Sequence, residues 1–154
     1  MLDFVHFLHI LSGIVWAGGA IFATFVVEPT LLRLEAPQMR SFQAAMGRYA
    51  GPVMAGSGLL LLVTGFARAR LGGAITSFAD LSTAYGLYVI AAFVIVILVT
   101  VLGGRHRAKV AAALEASDDP RVELTMLWRG QALVTGVGLL ATIAIMAILG
   151  MGLY

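Results

Sequence analysis

Four long apolar runs, separated by shorter polar segments, dominate the hydrophobic pattern of the chain. A bilayer core of about 30 Å is crossed by roughly 20 residues of α-helix, and each run reaches or approaches that length. The pattern therefore predicts an all-α integral membrane protein, a four-transmembrane-helix antiparallel bundle that forms one domain over residues 1–154. The predicted spans cover approximately residues 4–27, 52–67, 84–103 and 130–150.

The polar segments carry helical patterns of their own. After Pro37, apolar residues recur at helical spacing, which predicts a short interfacial amphipathic helix over residues 38–50 before the second span begins at Gly51-Pro52. The stretch "RHRAKVAAALEA" extends the third helix beyond the bilayer. Asp119 as N-cap and Pro120 as first helical residue place the start of the fourth helix near residue 120.

Composition and charge support a multi-pass membrane protein and set its expected orientation. Charged residues make up 12% of the chain, half the roughly 25% of soluble domains. Eight of the ten Lys and Arg residues lie in the first and third loops. We therefore expect these loops to be cytoplasmic and both termini to lie outside. Because the net charge of +2 comes from these loops, it does not indicate nucleic-acid binding; the lipid bilayer is the expected partner.

Two classes of feature are excluded or disfavoured. The chain has no cysteine, which excludes disulfides, thiolate metal sites and iron–sulfur clusters. The first apolar run lacks a basic start and exceeds the roughly 7–15 apolar residues of a signal peptide, so we interpret it as a retained span.

One stripe on the first span carries the candidate chemistry. His6, His9, Gly13 and Trp16 follow one another at helical spacing and share a face. Ionisable side chains are costly in a span and usually face the bundle interior or a watery cavity. Two imidazoles, a small residue and an aromatic ring on one face are typical of a cofactor or metal cavity.

Further candidate ligands lie at the same end of the predicted bundle. Met146 and Met151 are at the outer end of the fourth span, and thioether with imidazole suits Cu(I). Imidazole is equally a haem axial ligand, with Met as a second one. His106, between two arginines at the other end, is expected to face solvent or lipid headgroups, and Glu28 to cap its helix or pair with Arg33.

A structural interpretation competes with both ligand roles. An imidazole in a span can simply hydrogen-bond a neighbouring helix, and methionines fill membrane cores adaptably. No carboxylate pair, nucleophile–base pair or phosphate-binding loop stands within the spans, so the sequence does not identify an enzyme. A cofactor-free structural or interaction subunit is the third class.

The first span resembles a known set of bacterial membrane proteins. "LHILSGIVWAGGAIFATFVVEPTLLR" is similar to the first helix of the copper-resistance D (CopD) domain family, the HemJ-type protoporphyrinogen oxidase family and related four-helix families. The shared pattern is a histidine, a tryptophan, a glycine pair and a terminal proline, here His9, Trp16, Gly18-Gly19 and Pro29. The resemblance implies a location in the bacterial inner membrane.

The resemblance implies two functions. A CopD-like protein would bind or pass copper near the outer face through His9, with His6, Met146 and Met151 as further ligands and a metal chaperone as partner. A HemJ-like protein would bind haem b through His9, with Gly13 and Trp16 beside the macrocycle and a quinone or porphyrin as partner. HemJ-like members use a lysine in the third helix, and the third span here has none, which argues against protoporphyrinogen oxidation. Small residues on several spans permit a homodimer.

Overall fold

Four long helices make up most of the computed structural model, which describes residues 1–153. Each helix is long and apolar enough to cross a membrane. The described residues contain no strand, so the predicted all-α, four-span bundle is confirmed. The helices are α1 (Leu2–Leu31), α2 (Ala36–Leu71), α3 (Ala84–Ala116) and α4 (Arg121–Met151).

Helix α2 joins two predicted elements into one. Residues 38–50 are helical as expected, but the helix continues without interruption through Pro52 into the second span. A proline inside a helix removes one backbone hydrogen bond, and the regular helix on either side tolerates that loss. The start of α2 is fixed by a reciprocal capping box between Glu35 and Gln38.

Helix α1 is not a regular α-helix throughout. Residues Ala23–Val27 form a π-helical turn, in which the Glu28 N–H bonds to the Ala23 carbonyl. The residue that would serve the Thr24 carbonyl in this pattern is Pro29, which has no N–H. The indole Nε1 of Trp128 on α4 donates to that carbonyl instead, at 2.8 Å. The Trp128 side chain thus supplies a hydrogen bond to the Thr24 carbonyl that lipid chains cannot supply.

Small residues allow the helices to approach closely at defined points. A Cβ on Gly58 would lie 3.1 Å from Cδ1 of Trp16, and one on Gly138 would overlap Val99. A Cβ on Gly13 would meet Leu61 at 3.5 Å, whereas Gly51 has open space around it.

The connections at the two ends differ in character. At the end that carries most of the basic residues, which we call the basic end, α3 extends to Ala116 as expected. Helix α4 begins at Arg121, and its N-cap residue is Pro120 and not Asp119 as predicted. At the opposite end, α2 and α3 are joined by a segment containing a 3₁₀ helix, Phe78–Ser82. The termini of the bundle lie at this opposite end, as the antiparallel order requires.

Candidate functional site

A cavity of about 600 Å³ lies between the helices in the half of the bundle that contains the termini. Its lining is mainly apolar, from residues such as Leu61, Phe93 and Val96. Five of the six predicted site residues line it: His6, His9, Gly13, Trp16 and Met146. We call this space the histidine cavity.

His9 is held in one orientation by α2. Its Nδ1 lies 3.2 Å from the Leu61 carbonyl oxygen and 3.2 Å from the Thr64 hydroxyl oxygen. The carbonyl can only accept, and the Thr64 hydroxyl donates its own proton to the Leu60 carbonyl at 2.6 Å. Nδ1 therefore carries the proton and donates, which leaves Nε2 with an unshared electron pair.

The His9 ring also packs closely against the backbone of α2 at Gly65. A Cβ on Gly65 would lie 3.1 Å from His9 Cε1, so only glycine lets the imidazole approach this closely. Gly65 itself lines the histidine cavity. The ring is thus fixed by two hydrogen-bond acceptors and a glycine, in the manner of imidazoles oriented for metal ligation.

His6 differs from His9 in having an unsatisfied ring nitrogen. Its Nδ1 is buried and has no hydrogen-bond partner, alone in this respect among the side chains of residues 1–153. Buried polar atoms are nearly always paired, so an orphaned one in a cavity wall is a place where a bound molecule can supply the partner.

Arg68 is the permanently charged residue in the cavity lining, and Tyr85 contributes a phenol. Neither was among the site residues predicted from the sequence. Arg68 comes directly after the predicted second span, so the charge count assigned it to a loop. In the structure α2 continues to Leu71, and Arg68 lines the histidine cavity. A guanidinium beside an apolar cavity favours a ligand with an acidic group.

The two candidate methionines separate in the structure. Met146 lines the histidine cavity, whereas Met151, at the last residue of α4, is 64% exposed and lies outside the lining. Among the described residues, no group of three His, Cys, Asp or Glu side chains could hold a metal ion. The side chains brought together are therefore two imidazoles and one thioether.

Trp16 forms the inner wall of the histidine cavity. It is 3% exposed, packs on Gly58, and lines a second, smaller space of about 170 Å³ on its other side. We call this second space the basic-end chamber. Its polar lining includes Thr24, Glu28, His106, Gln131 and Thr135.

The basic-end chamber corrects two expectations. His106 is not exposed to solvent or headgroups: it is 7% exposed, and its Nε2 lies 2.9 Å from Oε1 of Glu28. Glu28 correspondingly pairs with His106 on α3 rather than with Arg33. The correction has a simple cause, because residues 78 positions apart meet only when α1 and α3 face each other across the interior of the bundle, which charge spacing does not reveal.

Comparison with known proteins gives one match. The model of a family described as "Predicted integral membrane protein (DUF2269)" matches residues 3–153. Neither a curated protein nor a solved structure matches the chain.

Proposed function

The chain belongs to this DUF2269 family of integral membrane proteins, and we propose that it is a haem b-binding redox protein of the membrane, with His9 as an axial ligand of the iron. The observation that carries the proposal is the orientation of His9. Its Nδ1 donates to Leu61 and Thr64, so Nε2 has its electron pair available at the wall of a large apolar cavity.

The size of the histidine cavity favours an organic cofactor over a bare ion. Cofactor and ligand sites are mostly apolar spaces of about 300–1,000 Å³ with a few polar groups that fix orientation. The 600 Å³ of the histidine cavity falls within that range. A single metal ion with its side-chain ligands needs no such volume.

The polar groups of the lining fit the same cofactor. Arg68 suits an acidic substituent such as a haem propionate, and the unsatisfied Nδ1 of His6 suits a second hydrogen bond or ligand. Gly13 and Trp16 would lie beside the macrocycle. A bound haem supplies one-electron chemistry, while the residues of this chain bind it, orient it and keep it in an apolar setting.

Copper handling is the second candidate, and one observation favours it. His6, His9 and Met146 line the same cavity, and imidazole with thioether is a donor set for Cu(I). Met151 lies away from these three, so the proposed copper set is smaller than the sequence predicts.

The test is an absorption spectrum with elemental analysis on detergent-purified protein, expressed with haem precursor and copper supplied. The haem proposal expects a Soret band of near-stoichiometric intensity that His9→Ala abolishes. His106→Ala is the matched control, because it removes an imidazole from the basic-end chamber and should leave the band unchanged.

Other outcomes decide against the haem proposal. About one copper per chain without a Soret band, lost in His9→Ala, would replace it with the copper function. If neither cofactor is found, the hydrogen bonds of His9 to α2 are structural, and the protein is a bundle that serves as a structural or interaction subunit.

A further inference from the structure

The basic-end chamber contains the most polar interior of the bundle. Its buried hydrogen bonds link Gln131 Nε2 to the Thr135 hydroxyl at 2.9 Å, and that hydroxyl to the Thr24 hydroxyl at 3.3 Å. The Glu28–His106 pair lies in the same lining. Ionisable groups within membrane helices are expensive and most often serve function.

The chamber is large enough and polar enough to hold water. Liquid water takes about 30 Å³ per molecule, and a buried water needs two to four polar partners. A volume of about 170 Å³ bordered by a carboxylate, an imidazole, an amide and several hydroxyls meets both requirements. Gly47 and Arg107, both exposed, lie on its rim and connect it to the surface at the basic end.

We propose that the basic-end chamber is a hydrated proton-exchange site, in which the Glu28–His106 pair takes up a proton from the aqueous phase at the basic end and returns it there. The ligand of this site is the proton carried by water. The inference goes beyond the proposed cofactor function and holds whatever the histidine cavity binds.

The protonation change involves one proton and one pair of residues. With neutral His106, the Nε2–H donates to the Glu28 carboxylate and the pair has a charge of −1. A proton delivered from the aqueous phase as hydronium through the chamber water then adds to Nδ1 of His106 and leaves a neutral water. The product is an imidazolium–carboxylate pair of zero net charge. Release reverses the step and returns the proton to water.

Apart from Arg107, the ionisable side chains in the chamber lining are those of Glu28 and His106. Helix α1 contributes Glu28, and α3 contributes His106 and Arg107, whose guanidinium stays protonated. Helices α2 and α4 contribute only neutral side chains to the lining, among them Gln43, Gln131 and Thr135. A pH response of the chamber therefore reports the Glu28–His106 pair.

The protein contains its own reporters for this titration. It has two tryptophans, Trp16 and Trp128, and both line the basic-end chamber. Indole emission responds to nearby charge. We expect the tryptophan fluorescence of the full chain in lipid nanodiscs to change sigmoidally with pH as the pair takes up its proton.

Substitutions assign the change to the pair. Glu28→Gln keeps a hydrogen-bonding group of the same size beside His106 but removes the charge, so it should displace the sigmoidal change along the pH axis. His106→Gln removes the group that takes up the proton and should lose the change. Asp119→Asn disrupts the exposed ion pair with Arg121 and should keep it. His9→Gln should also keep it, although Trp16 borders the histidine cavity as well.

Three results would overturn the proposal: no pH-dependent change in the natural chain, an undiminished change in His106→Gln together with an undisplaced change in Glu28→Gln, or a change lost in His9→Gln. A cysteine test covers variants that fail to fold. Because the chain has no cysteine and a Cβ on Gly47 meets open space, Gly47→Cys can be labelled with a bulky thiol reagent at the rim.

Labelling of Gly47→Cys should slow the fluorescence response to a rapid pH step, because the reagent obstructs the route from water. Gly56→Cys, also at an open position but outside both cavity linings, is the matched control and should respond at the original rate. Equal rates in both labelled proteins would overturn the assigned route. The proton-exchange proposal can also be tested on protein that shows no Soret band. A failure of the proton-exchange proposal is therefore distinct from a failure of the haem proposal.

Discussion

Trp16 packs against the backbone of Gly58, and this contact separates the histidine cavity from the basic-end chamber. A Cβ at residue 58 would lie 3.1 Å from Cδ1 and 3.2 Å from Nε1 of the indole. The wall between the two spaces therefore depends on an aromatic ring on α1 and the lack of a side chain on α2.

Gly58→Leu should destabilise the bundle, because the new side chain overlaps the indole of Trp16. Overpacking of a well-filled interior typically costs about 1–3 kcal/mol. The measurement is thermal unfolding in detergent followed by circular dichroism. Gly56→Leu, two residues away at an open position, should unfold near the original temperature. Equal losses in both variants would contradict the packing role of Gly58.

Thr64→Val should weaken cofactor binding without removing any ligand. The substitution keeps the shape but deletes one of the two acceptors that orient His9. Loss of such an outer hydrogen bond typically costs about 10–100-fold in affinity. The check is the rate of haem loss to an apoprotein acceptor, followed at the Soret band.

Thr142→Val is the control for Thr64→Val. Thr142 lines the same cavity, but its hydroxyl bonds only to the Gly138 carbonyl of its own helix, at 2.8 Å. Haem loss at the original rate is expected for this variant. If both valine variants lose haem equally fast, orientation of His9 by Thr64 is not the cause.

Thr135→Val should lower stability through the polar contacts that it breaks. Thr135 is 1% exposed and bonds to both Gln131 and Thr24. Leaving a buried polar group unpaired costs about 1–3 kcal/mol. Thr30→Val is the control, since the exposed Thr30 hydroxyl bonds only to the Val26 carbonyl of its own helix. The expected result is a lower unfolding temperature for Thr135→Val alone.

The segment between α2 and α3 should loosen in acid. The backbone N–H of Ser77, the backbone N–H of Thr76 and the Thr76 hydroxyl all donate to the Asp80 carboxylate and lower its pKa from 3.8 to about 2. A lowered pKa stabilises the folded segment above the ordinary value, and this stabilisation is lost as the pH falls from about 4 through about 2.

Hydrogen exchange at the Thr76 and Ser77 amides measures the effect of Asp80. Protection should be present at neutral pH and fall across the acid range after correction for intrinsic rates. In Asp80→Asn it should be weaker and independent of pH, because the amide oxygen still accepts but carries no charge. Asp118→Asn, at an exposed position of the other connection, should leave it unchanged. Protection that does not decrease between about pH 4 and pH 2 would contradict the role of Asp80.

The distribution of basic residues predicts which end of the bundle faces the cytoplasm. In a cysteine-free chain, Phe78→Cys and Asp118→Cys place single thiols at exposed positions of opposite ends. A membrane-impermeant maleimide should label residue 78 on intact cells and residue 118 only after permeabilisation. The reverse pattern would place the termini inside.

The sequence predicted those features that depend on period and length. The helical spacing of His6, His9, Gly13 and Trp16 predicted that they share a face of α1, and all four line the histidine cavity. The lengths of the apolar runs predicted the four spans. The continuity of α2 through Pro52 was missed because proline is a strong but not absolute helix breaker.

Features that depend on helix pairing could not be predicted in the same way. His106 lies between Arg105 and Arg107, and Glu28 is five residues before Arg33, so local spacing suggested solvent or Arg33 as partners. Their contact depends on which faces of α1 and α3 turn toward the interior of the bundle. The hydrogen bonds of His9 to Leu61 and Thr64 likewise depend on the register between α1 and α2, which no periodicity within one helix reveals.

The π-helical turn at Ala23–Val27 gives α1 one residue more than an unbroken α-helix would need between the same two points. A turn of this kind absorbs an inserted residue locally, so the helix on either side keeps its facing. A relative shorter by one residue within this turn would therefore still present Glu28 to His106. In a relative shorter by one residue between Thr24 and Glu28, the residue four positions after Thr24 would be Pro29, which has no N–H. The Thr24 carbonyl would therefore still need the Trp128 indole as its donor, and Pro29 requires Trp128 at either length of the turn.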